Sequence, residues 1–343
     1  MPTIKDIANL AGVSYGTVYR VLHNRGRFSS QTAERVRSAA KELHYSPNVS
    51  ARNLSKAKRL HLGVLIPYAN QGDDYWGLPL QGMKNAVEEL KGFQATLSVY
   101  NFQRDVKKDF VKVAQDMFSK ECNGYLMAPV FPDESEKLLT SFSPKVPVVF
   151  FNTDIPGSSN RLCFIGQDSY RSGVLAAKLL RLLTREKPCN FNLVIRANED
   201  NDHLKNRVKG FIDNSPSNSV KEIVYDPSKE TKSNAYNKML EKHITPDVTG
   251  IFVTNASVYR VAEYLEKNSK KHSVALIGCD LTKQNAEKLE NESIDFILTQ
   301  RPIEMGYESV YILYKKIILN ENISDRKIMP IDIITKENYE FFV

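Results

Sequence analysis

From residue 60 onward, short apolar runs rich in β-branched and aromatic residues recur at 62–67, 95–100, 124–128, 146–151, 191–195, 250–254, 274–278 and 296–299. Longer amphipathic stretches separate them, among them 82–90, 110–118, 173–183 and 258–267. Strands that alternate with helices pair in parallel and need helical crossovers, so the pattern predicts an α/β body with helices on both faces of parallel sheet. Eight such runs are more than one sheet comfortably holds.

The first sixty residues obey a different rule. They carry eleven Lys and Arg against three acids, a net +8, and the other 283 residues carry 36 against 37. A basic module joined to a near-neutral body separates a part that meets phosphates from a part that does something else. Ile4, Ile7, Ala8 and Ala11 follow Thr3, a good N-cap, at helical spacing, and Gly12 stops that helix. Ser14 caps a second helix in which Val18, Val21 and Leu22 point inward and Tyr15, Gly16, Tyr19 and Arg20 point outward. Two short helices joined by that tight turn make a helix-turn-helix. A third helix over 31–43 closes the core with Ala33, Val36, Ala40 and Leu43, leaving Arg35, Arg37 and Lys41 solvated.

Other classes find little support. No secretory leader opens the chain and no apolar run reaches eighteen residues, which predicts a soluble, cytoplasmic protein without a membrane partner. Cys122, Cys163, Cys189 and Cys279 form no Cys-x-x-Cys pair and lack His at ligand spacing, so neither a metal site nor a disulfide framework is expected. Phosphate-loop, dinucleotide, nucleophile-elbow and His-Glu-x-x-His motifs are missing, which predicts no enzyme and no cofactor.

The stretches TIKDIA from Thr3, AGVS from Ala11, TVYRVL from Thr17 and YSPN from Tyr45 resemble, with uninterrupted spacing, the head of the LacI/GalR repressors. The resemblance covers nearly all of residues 3 to 58. It implies that α-helical residues from Tyr15 and Gly16 read bases, with Arg20 one turn further on, where arginine can form two hydrogen bonds to guanine. Gly16 has no side chain to read with, so the reading leans on Tyr15 and Arg20. Tyr19 either contacts a phosphate or packs beside Tyr15. Thr3, Ser14, Asn24, Ser29 and Thr32 are expected at phosphates. Residues 48–55 can form two helical turns, too few to persist alone. In the family pattern this hinge helix, here with Asn48, Ala51, Arg52 and Leu54, orders in the minor groove and Leu54 wedges between base pairs; the alternative is a solvated linker.

For the body, the resemblance extends to the periplasmic sugar-binding proteins and implies two lobes with chain crossovers. The expected domains are a helix-turn-helix head at 1–46, a hinge helix and linker at 47–60, and an effector-binding body at 61–343. Its first lobe takes 61–165 and 301–326, its second 166–300 and 327–343. Ligands of open α/β sheets sit at strand carboxyl ends. That rule picks out Tyr75, Trp76, Asn152, Asp154, Arg207, Asn255, Asp280 and Gln300, polar groups and an aromatic platform suited to a neutral polyol. Asp280 and Asn255 have an alternative role as helix caps, and Arg207 one as an interlobe ion pair. The expectation is a repressor whose operator affinity is controlled by a sugar; a purine or sugar phosphate would use the same cleft, an activator the same DNA contacts, and the body alone would suit a transport receptor. The last residues carry no leucine heptads, which predicts a homodimer.

Overall fold

The computed structural model describes residues 4–22, 28–43, 59–69, 74–142, 146–158, 160–184, 191–198, 202–217, 219–226, 234–271 and 273–342. The chain divides into two compact units, Met1–Ala57 and Lys58–Val343.

In the first unit, α1 (Ile4–Ala11), α2 (Tyr15–Leu22) and α3 (Ser30–Glu42) enclose Ile7, Ala8, Ala11, Val18, Val21, Ala33, Val36 and Ala39. Ala40 and Leu43, expected in this core, flank it as partly buried neighbours, and Ala39 is buried in their stead. Gly12 adopts φ +61, the left-handed conformation that ends α1 where glycine costs least. The Ser14 hydroxyl accepts the Thr17 amide at 3.3 Å, and the Ser29 hydroxyl accepts the Thr32 amide at 3.2 Å, capping α2 and α3.

The second unit holds two six-stranded sheets. The first contains β1 (His61–Pro67), β2 (Thr96–Phe102), β3 (Gly124–Met127), β4 (Val148–Phe151), β5 (Cys163–Gln167) and β11 (Arg326–Met329), in the order β11-β5-β4-β3-β1-β2. The second contains β6 (Phe191–Ala197), β7 (Val220–Tyr225), β8 (Val248–Val253), β9 (Ala275–Cys279), β10 (Phe296–Thr299) and β12 (Asp332–Ile334), in the order β12-β10-β9-β8-β6-β7. The same winding occurs twice, and every pairing is parallel except β12 against β10, which is antiparallel. Interior strands such as β3, β4 and β8 are buried throughout, as expected for strands covered by helices on both faces.

The helices of this unit are α4 (Gly77–Glu89), α5 (Lys107–Phe118), α6 (Pro132–Phe142), α7 (Ser169–Leu183), α8 (Asp202–Asp213), α9 (Ala235–His243), α10 (Val258–Lys267), α11 (Lys283–Glu290) and α12 (Pro302–Ile317). Both lobes use one packing device. A Cβ on Gly82 of α4 would lie 1.8 Å from the Ile303 carbonyl oxygen, and one on Gly306 of α12 would lie 2.0 Å from that of Pro79. Likewise, Cβ atoms on Gly173 of α7 and Gly210 of α8 would lie 2.0 Å from the Arg207 and Tyr170 carbonyl oxygens. Helices α4 and α12, and helices α7 and α8, thus touch backbone to backbone.

Three segments carry the chain between lobes, after β5, after β10 and between β11 and β12. Strand β11 runs through the 326/327 position expected for the last crossing and stays in the first sheet to Met329.

Candidate functional site

The carboxyl ends of β4, β9 and β10 share a backbone peculiarity. Asn152 (φ 66), Asp280 (φ 65) and Arg301 (φ 51) are left-handed although none is glycine. Such residues cost roughly 1–2 kcal/mol each and persist where their surroundings hold them, commonly at binding sites. Here the turns aim two side chains at one residue. Gln300, 1% exposed, places Nε2 at 2.7 Å from the Tyr75 hydroxyl, 3.0 Å from Asn152 Oδ1 and 3.4 Å from Asp280 Oδ1. Tyr75 in turn donates to Asn152 Oδ1 at 2.6 Å. The first lobe contributes Tyr75 and Asn152 to this cluster, and the second contributes Asp280 and Gln300.

Arg207 of α8 is also 1% exposed. Its Nη1 donates to the Thr254 carbonyl at 2.6 Å and its Nη2 to Gln167 Oε1 at 3.2 Å, so both hydrogen-bond partners among the described residues are neutral. The expected alternative of an interlobe ion pair is therefore not what these contacts form. Of the buried polar atoms that have no partner among the described residues, three belong to this group: Gln300 Oε1, Arg207 Nε and Thr254 Oγ1. An acceptor, a donor and a hydroxyl left unpaired each cost free energy that a bound polar group or a water recovers.

The surrounding side chains are buried. His203, one helical turn before Arg207, lies 2.5 Å from the Ser169 hydroxyl, and burial followed by the Arg207 charge holds its pKa well below the ordinary value. Burial likewise pushes the Cys279 thiol up to about 12. Asn285 braces the strand ends from behind: its Nδ2 donates to the carbonyls of Ala256 (2.9 Å) and Asp280 (2.8 Å), while Oδ1 accepts the Tyr259 amide at 3.0 Å.

Three expected residues serve elsewhere. Trp76, expected as a stacking platform, is 5% exposed and meets Tyr75 and Phe151 edge-on at 5.1 and 6.4 Å, inside the first-lobe core. Asp154 binds Arg161 (2.7 Å) and Arg326 (2.9 Å) through its two oxygens, so its charge is spent holding the start of β11. Asn255 donates to the Tyr225 hydroxyl at 3.0 Å and accepts the Ser257 amide at 3.2 Å; Ser257 is itself the N-cap of α10, so these contacts fix the turn before the helix and are not the expected cap. Gln167, Thr254 and Asn285 escaped the sequence reading. For Gln167 the missing signal was β5, whose apolar run is only Cys163 to Ile165 before Gly166 and Gln167 interrupt it.

In the head, Tyr15, Gly16, Tyr19 and Arg20 occupy α2, but their side chains lie outside the described residues. Thr3, Asn24, Asn48, Ala51, Arg52, Leu54 and Cys189 also lie outside them. Ser14 and Ser29 are exposed and Thr32 half-buried, each already engaged in a cap.

Residues 3–48 match the family of bacterial regulatory proteins of the lacI type, and residues 63–321 match the periplasmic binding protein domain. The chain belongs to the LacI/GalR family. Its relatives include the sucrose operon repressor of Lactococcus lactis, 24% identical over 97% of this chain and 98% of that protein. The regulator MalR of Streptococcus pneumoniae is 25% identical over 78% of this chain and 80% of its own length. In fold, the LacI/GalR body resembles GanP, a glucose-galactose binding protein of Geobacillus stearothermophilus (TM-score 0.70, 23% identity, 82% of this chain and 99% of that one). LacI/GalR membership places the chain among DNA-binding transcriptional regulators.

Proposed function

We infer that this regulator is a repressor that holds operator DNA with α2 and changes its affinity when a sugar binds between the lobes. Tyr15 and Arg20 read bases, and the hinge segment with Asn48, Ala51, Arg52 and Leu54 engages the minor groove. The working form is a cytoplasmic homodimer, and its function is binding without turnover. Domains follow the expected division into head, linker and body. The ligand contacts between the lobes are drawn from the cluster of Tyr75, Asn152, Asp280 and Gln300, and from Arg207 with Thr254 on the second lobe.

The observation that carries this reading is Gln300. One amide nitrogen is shared among groups from both lobes while its buried oxygen stays unpaired. A sugar hydroxyl both donates and accepts, so it can satisfy Gln300 Oε1 and compete for Asp280, contacts that change as the lobes move. The relatives named for sucrose and the glucose-galactose binding protein of like fold support that ligand class. Arg207, with neutral partners, is the residue to hold a phosphate, so sugar phosphates and purines belong in the same trial.

The test is operator binding by the full chain, read by fluorescence anisotropy on a duplex selected from random sequence, with sucrose, glucose, galactose, ribose, their phosphates and purines. A neutral sugar is expected to shift operator affinity at least about fivefold, the lower end of ordinary allosteric coupling. A sugar that binds the protein and leaves operator affinity unchanged contradicts the reading.

A further inference from the structure

Gln167, the last residue of β5, is 3% exposed and stands where the chain first leaves the first lobe. Its Nε2 donates to the Thr299 carbonyl at 3.2 Å and the Pro330 carbonyl at 3.4 Å, which belong to the second and third crossings. Its Oε1 accepts from Arg207 Nη2 at 3.2 Å. The amide orientation is fixed by these partners, because turning it over would set oxygen against two carbonyl oxygens and NH2 against a guanidinium. One planar group therefore touches all three crossings and the buried arginine.

We propose that Gln167 is a positioning residue that couples Arg207 to the three interlobe crossings. The proposal rests on the cleft being the effector site. A ligand that draws on Arg207 Nε moves a guanidinium whose Nη2 is held by Gln167. The amide is planar, so any rotation that follows the guanidinium alters both donations to the crossings together. Glutamine alone supplies this set of contacts: glutamate has no donor for the two carbonyls, and asparagine is shorter by one carbon–carbon bond, roughly 1.5 Å.

Three variants of the full chain separate coupling from mere packing. Q167E keeps an acceptor for Arg207 and loses both donations, Q167M keeps volume and loses all three contacts, and R207Q leaves Gln167 intact while removing the guanidinium. In ligand-free protein, hydrogen exchange of peptides over 299–305 and 328–334 is expected to quicken about tenfold in Q167E and Q167M, the worth of one hydrogen bond. The same peptides are expected to quicken in R207Q, although Arg207 hydrogen-bonds to neither segment among the described residues. Strand cores over 62–66 and 193–197 stay at the wild-type rate. With whichever of sucrose, glucose, galactose or ribose shifts operator affinity in the wild type, Q167E is expected to keep sugar affinity within about threefold while its effect on operator affinity falls toward one.

Unchanged exchange at the crossings in Q167E, or in R207Q, overturns the proposal, as does full coupling retained by Q167E. A wild type that responds to none of these sugars contradicts the effector reading, and the exchange rates then still decide whether Gln167 ties Arg207 to the crossings.

Discussion

Gln300 and Asp154 show what a residue's position in sequence does and does not convey. Both follow strand ends, and both are polar. Gln300 faces three groups from two lobes with its oxygen unpaired, whereas Asp154 is enclosed by Arg161 and Arg326. The strand-end rule selected the two alike because it locates the turn and says nothing about which cations lie opposite it. Arg326 is 172 residues away from Asp154, beyond the reach of any local pattern. The buried His203 yields a prediction at this scale. Its folded pKa lies below the unfolded value of about 6.5, so as pH falls through 6.5 the unfolded chain takes up a proton that the folded chain refuses. Stability from this group is therefore complete above about pH 6.5 and declines toward the folded pKa by up to about 1.4 kcal/mol per pH unit. Calorimetry between pH 7.5 and 5.5 should show a smaller acid loss in H203N, whose amide can still meet the Ser169 hydroxyl. An equal loss in both proteins would show that His203 does not govern this range.

Among the elements, those with a clean period were legible. The runs that became β1, β3, β4 and β8 are apolar along their length because both their faces are covered, and α2 and α3 formed where expected, although α3 buries Ala39 more deeply than the expected Ala40 and Leu43. Strand β7 was missed because it lies at an edge and carries Lys221 and Glu222 at exposed positions. Strand β11 escaped for the same reason, with charge at Arg326 and Lys327, and β12 has three residues. The glycine crossings were also invisible, since nothing local marks Gly173 or Gly82 as facing another helix. They predict that G173A pushes α7 from α8 and lowers stability by about 3 kcal/mol, the upper range for overpacking. G92A, with nothing within 4 Å of the new Cβ, should change it by no more than about 0.5 kcal/mol. Thermal midpoints of the two variants check the contrast; equal effects would mean that the close approach at Gly173 carries no special cost.

The whole molecule combines a basic head with a near-neutral two-lobed body, and the charge division alone announced two tasks. What a single chain's pattern could not supply is which polar groups meet across the lobes, because that depends on the twist of two sheets and on three crossings far apart in sequence. On the proposed function, the head and the cleft share one free energy. If a sugar changes operator affinity by some factor, the operator must change sugar affinity by the same factor. The most direct measurement is a pair of titrations on the full chain in one buffer: operator binding with and without saturating sugar, and sugar binding with and without saturating operator. Two equal factors are expected, both different from one. A sugar that binds equally well to free and operator-bound protein would contradict it.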